Sequence, residues 1–183
     1  MAARVVSWNA FRRLFAPDRD GVRGAPGRDG VRVALDWPRL AALHRTGAVR
    51  VVREDHALDR LPPPYAYYAP WYADPAGRPT DYRAADARPL NSADLARTGQ
   101  GLTEEQRHRV GHFERALAEA PLRLCLPTLD LGEGRRLVLD GNHRLVALLR
   151  LVATGPGAAV HEFRVSAPLD PKLLPDLHHW VAD

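Results

Sequence analysis

The sequence predicts a small α+β protein, a mixed β-sheet with flanking helices, and two observations predict it. The 183 residues are 45% apolar, enough for one packed core and too few for two full domains. Segments of period-two alternation (Leu122–Leu131, Arg136–Asp140, Ala159–Val165) are interleaved with segments of helical spacing (Thr103–Ala120 and Asn142 to about Val152).

Taken in order, Phe11–Phe15 reads as a helical turn, and the Pro/Gly-rich stretches Pro17–Gly21 and Gly24–Gly30 read as loop. Asp36 is an N-cap, Pro38 suits a first helical turn, Leu40, Leu43 and His44 share a face, and Gly47 stops the helix. Ala48–Val52 reads as a short strand. Residues 61–91 hold Leu61-Pro-Pro-Pro-Tyr-Ala-Tyr-Tyr-Ala-Pro-Trp-Tyr72. Repeated proline argues against a helix or central strand, so a long extended loop is expected, strapped over the core or serving as a lid for a flat ligand. The helix from Thr103 carries a capping box with Gln106 at N3, and its apolar stripe is Val110, Phe113 and Leu117. Gly132–Gly134 is a turn between strands. Leu145, Leu148 and Leu149 face inward from the next helix, Thr154–Gly157 is a loop, and Asp170–Trp180 is a short helix.

Charge and composition exclude several classes. Net charge is +4, but the arginines are scattered, the only lysine is Lys172, and no block of like charge occurs, so nucleic acid is disfavoured as a partner. No apolar run reaches the length of a membrane span and no signal-peptide pattern opens the chain; a cytoplasmic location without membrane attachment is expected. The single cysteine, Cys125, cannot form an internal disulfide and reads as a small core residue.

The informative stretch is Leu137-Val-Leu-Asp-Gly-Asn-His-Arg-Leu-Val-Ala-Leu-Leu-Arg150. A strand ends at Asp140, Gly141 permits a sharp turn, and a helix begins at once. Its first N–H groups and positive dipole end suit phosphate or carboxylate. Arg144 would add a forked grip, and His143 would donate a hydrogen bond or move a proton. Asp140 would hold a metal, accept a proton, or cap the helix. The plainer reading is turn and cap chemistry, with Arg144 paired to a surface carboxylate.

Asp140-Gly-Asn-His-Arg-Leu-Val-Ala147 resembles the Asp-Gly-x-His-Arg-x-x-Ala motif of the ParB/sulfiredoxin-like superfamily. The order of elements before it, a capped helix, a strand, a turn and the motif strand, is similar too. The resemblance covers roughly residues 86–166, a core flanked by an N-terminal elaboration (1–85) and a C-terminal helix (167–183) in a single domain. It implies a nucleotide bound through its phosphates by Gly141, Asn142, His143 and Arg144, with Asp140 beside them near Mg²⁺. Asn142 stands where sulfiredoxins carry their catalytic cysteine, so that chemistry is not expected. The 33 residues after Arg150 leave little room for the DNA-binding module of partition proteins. The motif's form is most similar to the branch of free-serine kinases. Those kinases need an upstream acidic base, for which Asp86 and Asp94 lie in a suitable region.

The remaining constellations are weaker. His108 and His112 have metal-binding spacing on a helix but lack the zincin glutamate. His178–His179 reads as a surface feature, and Glu104 and Glu105 as dipole-favoured residues of a first turn. The expectation is a small-molecule enzyme using ATP or ADP with Mg²⁺ for phosphoryl transfer or related biosynthetic chemistry, with Asp140 and His143 as catalytic groups. The alternative is a non-catalytic nucleotide-sensing or partner-binding module.

Overall fold

A computed structural model describes residues 3–16, 34–57, 66–119, 123–151 and 159–181. Among these described residues, five α-helices and eight strands form an α+β fold around one mixed sheet. In chain order these are β1 (Arg4–Val5), α1 (Trp8–Phe15), α2 (Trp37–Arg45), β2 (Arg50–Ala57), β3 (Tyr67–Ala73), β4 (Pro79–Thr80), β5 (Arg88–Asn91) and α3 (Ser92–Thr98). Then come α4 (Glu104–Glu119), β6 (Arg123–Gly132), β7 (Arg135–Val138), α5 (Asn142–Leu151), β8 (Ala159–Ser166) and a 3₁₀ turn over Pro175–His179. The sheet order is β1-β2-β8-β6-β7-β3-β4, with β5 also on β3; the β8–β6 and β7–β3 pairings are parallel and the others antiparallel.

Side-chain alternation sends apolar residues to both faces of the sheet, and each face has its own core. On one, Val51, Leu129, Leu137, Phe163 and Val165 pack against Phe11 and Phe15 of α1, Leu40 of α2, and Leu173, Leu174 and Leu177. On the other, Tyr67, Leu124, Leu126, Val138 and Val160 pack against Leu95 of α3, Val110 and Leu117 of α4, and Leu145, Val146 and Leu148 of α5.

The capping signals hold locally. Asp36 accepts from the Arg39 N–H at 2.8 Å. Thr103 and Gln106 close their box, Gln106 N–H to Thr103 Oγ1 at 3.2 Å and Thr103 N–H to Gln106 Oε1 at 2.8 Å. Gly132, Glu133 and Gly134 make the β6–β7 turn with positive φ throughout. Ser7 caps α1, which therefore starts three residues before the expected turn.

Three expectations need correction. Residues 67–91 are not a loop: Tyr67–Ala73 enters the sheet beside β7, and two further short strands pair with it. Pro70 is tolerated because the β3–β5 register shifts between Ala69 and Tyr72, so no regular ladder donor is needed there. The strand after Gly47 runs on to Ala57, held by eight register pairs with β8. The short helix expected over Asp170–Trp180 is a 3₁₀ helix confined to Pro175–His179. The proline-rich start of the expected long loop, residues 61–65, and the loops expected at 17–30 and 154–157 lie outside the described residues. Among the described residues no helix is long and apolar enough to cross a membrane.

Candidate functional site

β7 delivers the motif as the pattern requires. Gly141 turns the chain at φ +87°, and a Cβ there would meet Arg144 Nη2 at 3.4 Å and the Leu124 and Leu126 methyls at 3.6 Å. α5 starts at Asn142, and Leu145 N–H makes its first intrahelical bond, to Gly141 O at 2.8 Å. Asp140 accepts from the Gly141 N–H at 2.7 Å and lies 3.8 Å from Arg144 Nη2.

The five motif residues have different fates. The Asn142 side chain turns into the protein, 7% exposed, with Nδ2 donating to Val138 O at 3.2 Å and Oδ1 without a partner. Only its backbone can face a phosphate. His143 is half-buried, its ring 4.8 Å from that of Trp71 and its Nε2 buried without a partner. Burial pushes its pKa down to about 4, helped by the charges of Arg109 and Arg144 and opposed by those of Glu105 and Asp140. The imidazole is therefore neutral at pH 7, where proton shuttling near neutrality had been expected of it. Arg144 keeps about a third of its side chain exposed.

Trp71 links the motif to a cleft of about 190 Å³ lined by Trp71, Thr80, Asp81, Tyr82 and, from the start of α4, Thr103 and Gln106. The cleft and the first turn of α5 thus share one wall. Asp81 supplies its carboxylate, accepting from the Arg83 N–H at 2.9 Å. Sequence reasoning did not single out Asp81. Asp86 is exposed and does not line the cleft, while Asp94 is spent on an exposed pair with Arg97 at 2.8 Å in α3. Asp140 belongs to no group of three metal-ligating side chains among the described residues. As a single carboxylate it fits Mg²⁺ only in company with phosphate oxygens.

A second polar cluster lies on the same sheet face, centred on fully buried Glu162. Its Oε1 accepts from Thr128 Oγ1 at 2.7 Å, and its Oε2 from Tyr67 OH at 2.9 Å and Arg136 Nη1 at 2.7 Å. Glu54 and His56 of β2 face it. Burial raises the Glu162 pKa, but the neighbouring His56, Arg136, Thr128 and Tyr67 outweigh it and hold the carboxyl below its ordinary range. Burial and the neighbouring Glu162 charge push the Tyr67 phenol up, so it remains a donor. The one sequence cue was the unbroken polar run Arg53-Glu-Asp-His56, which hid the strand rather than revealing it.

The other expected constellations stay apart. His108 and His112 are exposed and belong to no metal-ligating group of three among the described residues. His179 is docked, its Nε2 2.7 Å from Tyr82 O, while His178 is exposed. Cys125 is half-buried against the first core. Its register partner is His161, whose Nδ1 lies 2.5 Å from Asp55 Oδ1. No protein family, curated protein or solved structure matches the chain.

Proposed function

We propose that the chain is a cytoplasmic small-molecule enzyme that binds a nucleotide, ATP or ADP, with its phosphates at the start of α5 and transfers a phosphoryl group to a small hydroxylated molecule. The observation that carries this reading is the shared wall: Trp71 lines the cleft and touches His143 in the first turn of α5. A flat base would lie between Trp71 and Tyr82 while the phosphates reach Arg144 and the helix dipole. Arg109 adds positive charge beside His143. The likeness of Asp140–Ala147 to the ParB/sulfiredoxin-like motif supports the same placement.

The residues divide the work. Arg144 and the α5 N-terminus would neutralise phosphate charge as it shifts to the leaving oxygen. Neutral His143 would orient a phosphate oxygen through a hydrogen bond, and the bound anion would raise its pKa. Asp81, on the cleft wall, would take the proton of the acceptor hydroxyl as its oxygen bonds to phosphorus. Mg²⁺, held by Asp140 with the phosphates, would supply further charge neutralisation.

Calorimetric titration with ATP, ADP, CTP, inorganic phosphate and pyrophosphate, with and without Mg²⁺, tests this. Binding of one nucleotide that falls about 10- to 100-fold in Arg144→Ala supports the phosphate cradle. Absence of binding by every phosphate compound removes it.

A further inference from the structure

The cluster around Glu162 has a geometry that its own hydrogen bonds do not explain. Glu54 and Glu162 are register partners on the antiparallel strands β2 and β8, which places two carboxylates directly across from each other. Like charges in that arrangement repel. His56, two residues beyond Glu54, shares the face, and its Nε2 lies 3.6 Å from Glu54 Oε2 and 3.4 Å from Glu162 Oε2. Both separations exceed a good N–H···O bond, about 2.7–3.2 Å. The nitrogen is buried and has no hydrogen-bond partner. Four donors about 2.0–2.1 Å from a tetrahedral ion stand roughly 3.3–3.4 Å apart, close to both distances.

The outer contacts aim the ligands. Arg164 Nη2 takes Glu54 Oε1 at 2.7 Å, and Thr128 Oγ1 takes Glu162 Oε1 at 2.7 Å. Glu54 is thereby left with its Oε2 towards His56, and Glu162 Oε2, which also accepts from Tyr67 OH and Arg136 Nη1, lies on the same side. Carboxylates and imidazoles fixed by such neighbours are characteristic of metal centres. Ligand atoms of all three side chains lie within 4.8 Å of one another.

We propose that Glu54, His56 and Glu162 bind one divalent transition-metal ion, zinc by preference, across strands β2 and β8. One imidazole and two carboxylates suit zinc and its neighbours in the first row, and three protein ligands leave a fourth position for water. Arg136, 2.7 Å from Glu162 Oε2 and 4.0 Å from Glu54 Oε2, is the built-in competitor, which the ion displaces from the shared oxygen. The site is separate from the motif: Arg136 precedes Asp140 by four residues on one extended segment, placing the two roughly 13 Å apart.

The test uses the full chain, stripped with a chelator and titrated with Zn²⁺ by calorimetry, then with Co²⁺ followed by visible absorption. One equivalent of Zn²⁺, a tetrahedral Co²⁺ spectrum, and at least about tenfold weaker binding in both His56→Gln and Glu54→Gln establish the site. Glu54 is the more exposed ligand, so its variant keeps the test usable if His56→Gln fails to fold, and circular dichroism monitors both. The control His108→Gln retains wild-type affinity. No stoichiometric binding by the wild type, binding unchanged in the folded variants, or binding lost instead in His178→Gln overturns the proposal.

Discussion

Around Glu162, two carboxylate oxygens receive a threonine hydroxyl, a tyrosine hydroxyl and a guanidinium at 2.7–2.9 Å. Around His143, on the same face, His143 Nε2 and the side-chain Oδ1 of Asn142 are buried with no partner, as is His56 Nε2 beside Glu162. The first cluster is made by strands alone, and only its carboxylate is saturated. The second sits where a strand gives way to a helix and touches, through Trp71, the wall of a cleft. Saturated polar groups stabilise or specify a fold, whereas buried groups left unpaired cost free energy that a ligand can recover. The saturated Glu162 carboxylate is what the fold needs, and the unpaired His143, Asn142 and His56 atoms are what it tolerates for use.

The sharpest way to break the comparison is Arg136→Ala. It leaves the buried Glu162 carboxylate without its guanidinium and is expected to cost about 3–5 kcal/mol in urea denaturation. The paired replacement Arg136→Met with Glu162→Gln should recover most of that loss, because no buried charge is then stranded. At the other cluster Arg144→Ala should act on binding and not on the fold. Nucleotide affinity is expected to fall as stated above while stability changes by no more than about 0.5 kcal/mol, since Arg144 is a partly exposed side chain.

Acid should affect both clusters. The His143 pKa lies below its ordinary value, so the native state favours the neutral ring. Its contribution is fully present above the unfolded value near 6.5 and is lost as pH falls towards about 4. Glu162 is depressed as well, and its contribution is present above the ordinary glutamate value and lost as pH falls through the native one. An NMR titration should find the His143 midpoint near 4 in the free protein and higher with bound phosphate. A midpoint unmoved by a ligand shown to bind would place that ligand elsewhere.

The smallest effect belongs to Asp176, which is 6% exposed and accepts from Tyr72 OH at 2.7 Å. Burial raises its pKa, so its cost to stability grows as pH rises through the native value. Asp176→Asn retains an acceptor for Tyr72 and should raise the melting temperature slightly at pH 7, with less effect at pH 4.

What was legible in the sequence was local. The Thr103/Gln106 box, the Gly132–Gly134 turn and the strand–glycine–helix passage at Asp140–Asn142 each depend on residues a few positions apart, and each formed where expected. What was missed depends on register between distant segments. Glu54 meets Glu162 only because β2 lies on β8, and no pattern within Arg50–Ala57 announces that partner. Charges on both faces of Arg53–His56 masked the alternation of a strand. Pro70 masked another, because a proline reads as a loop until a bulge is seen beneath it. Asp81 went unremarked because its importance comes from the cleft that β3, β4 and α4 enclose.

The position of β8 has a consequence for how the chain is made. The last of the described strands to be synthesised sits between β2 and β6, pairing Val51 with Val165 on one side and Leu129 with Val165 on the other. Until it emerges from the ribosome, the two halves of the sheet have no common strand. The nascent β2 and β6 present open edges in the meantime, and such edges invite pairing with other chains. Folding of this protein is therefore expected to be a late and slow event governed by non-local contacts.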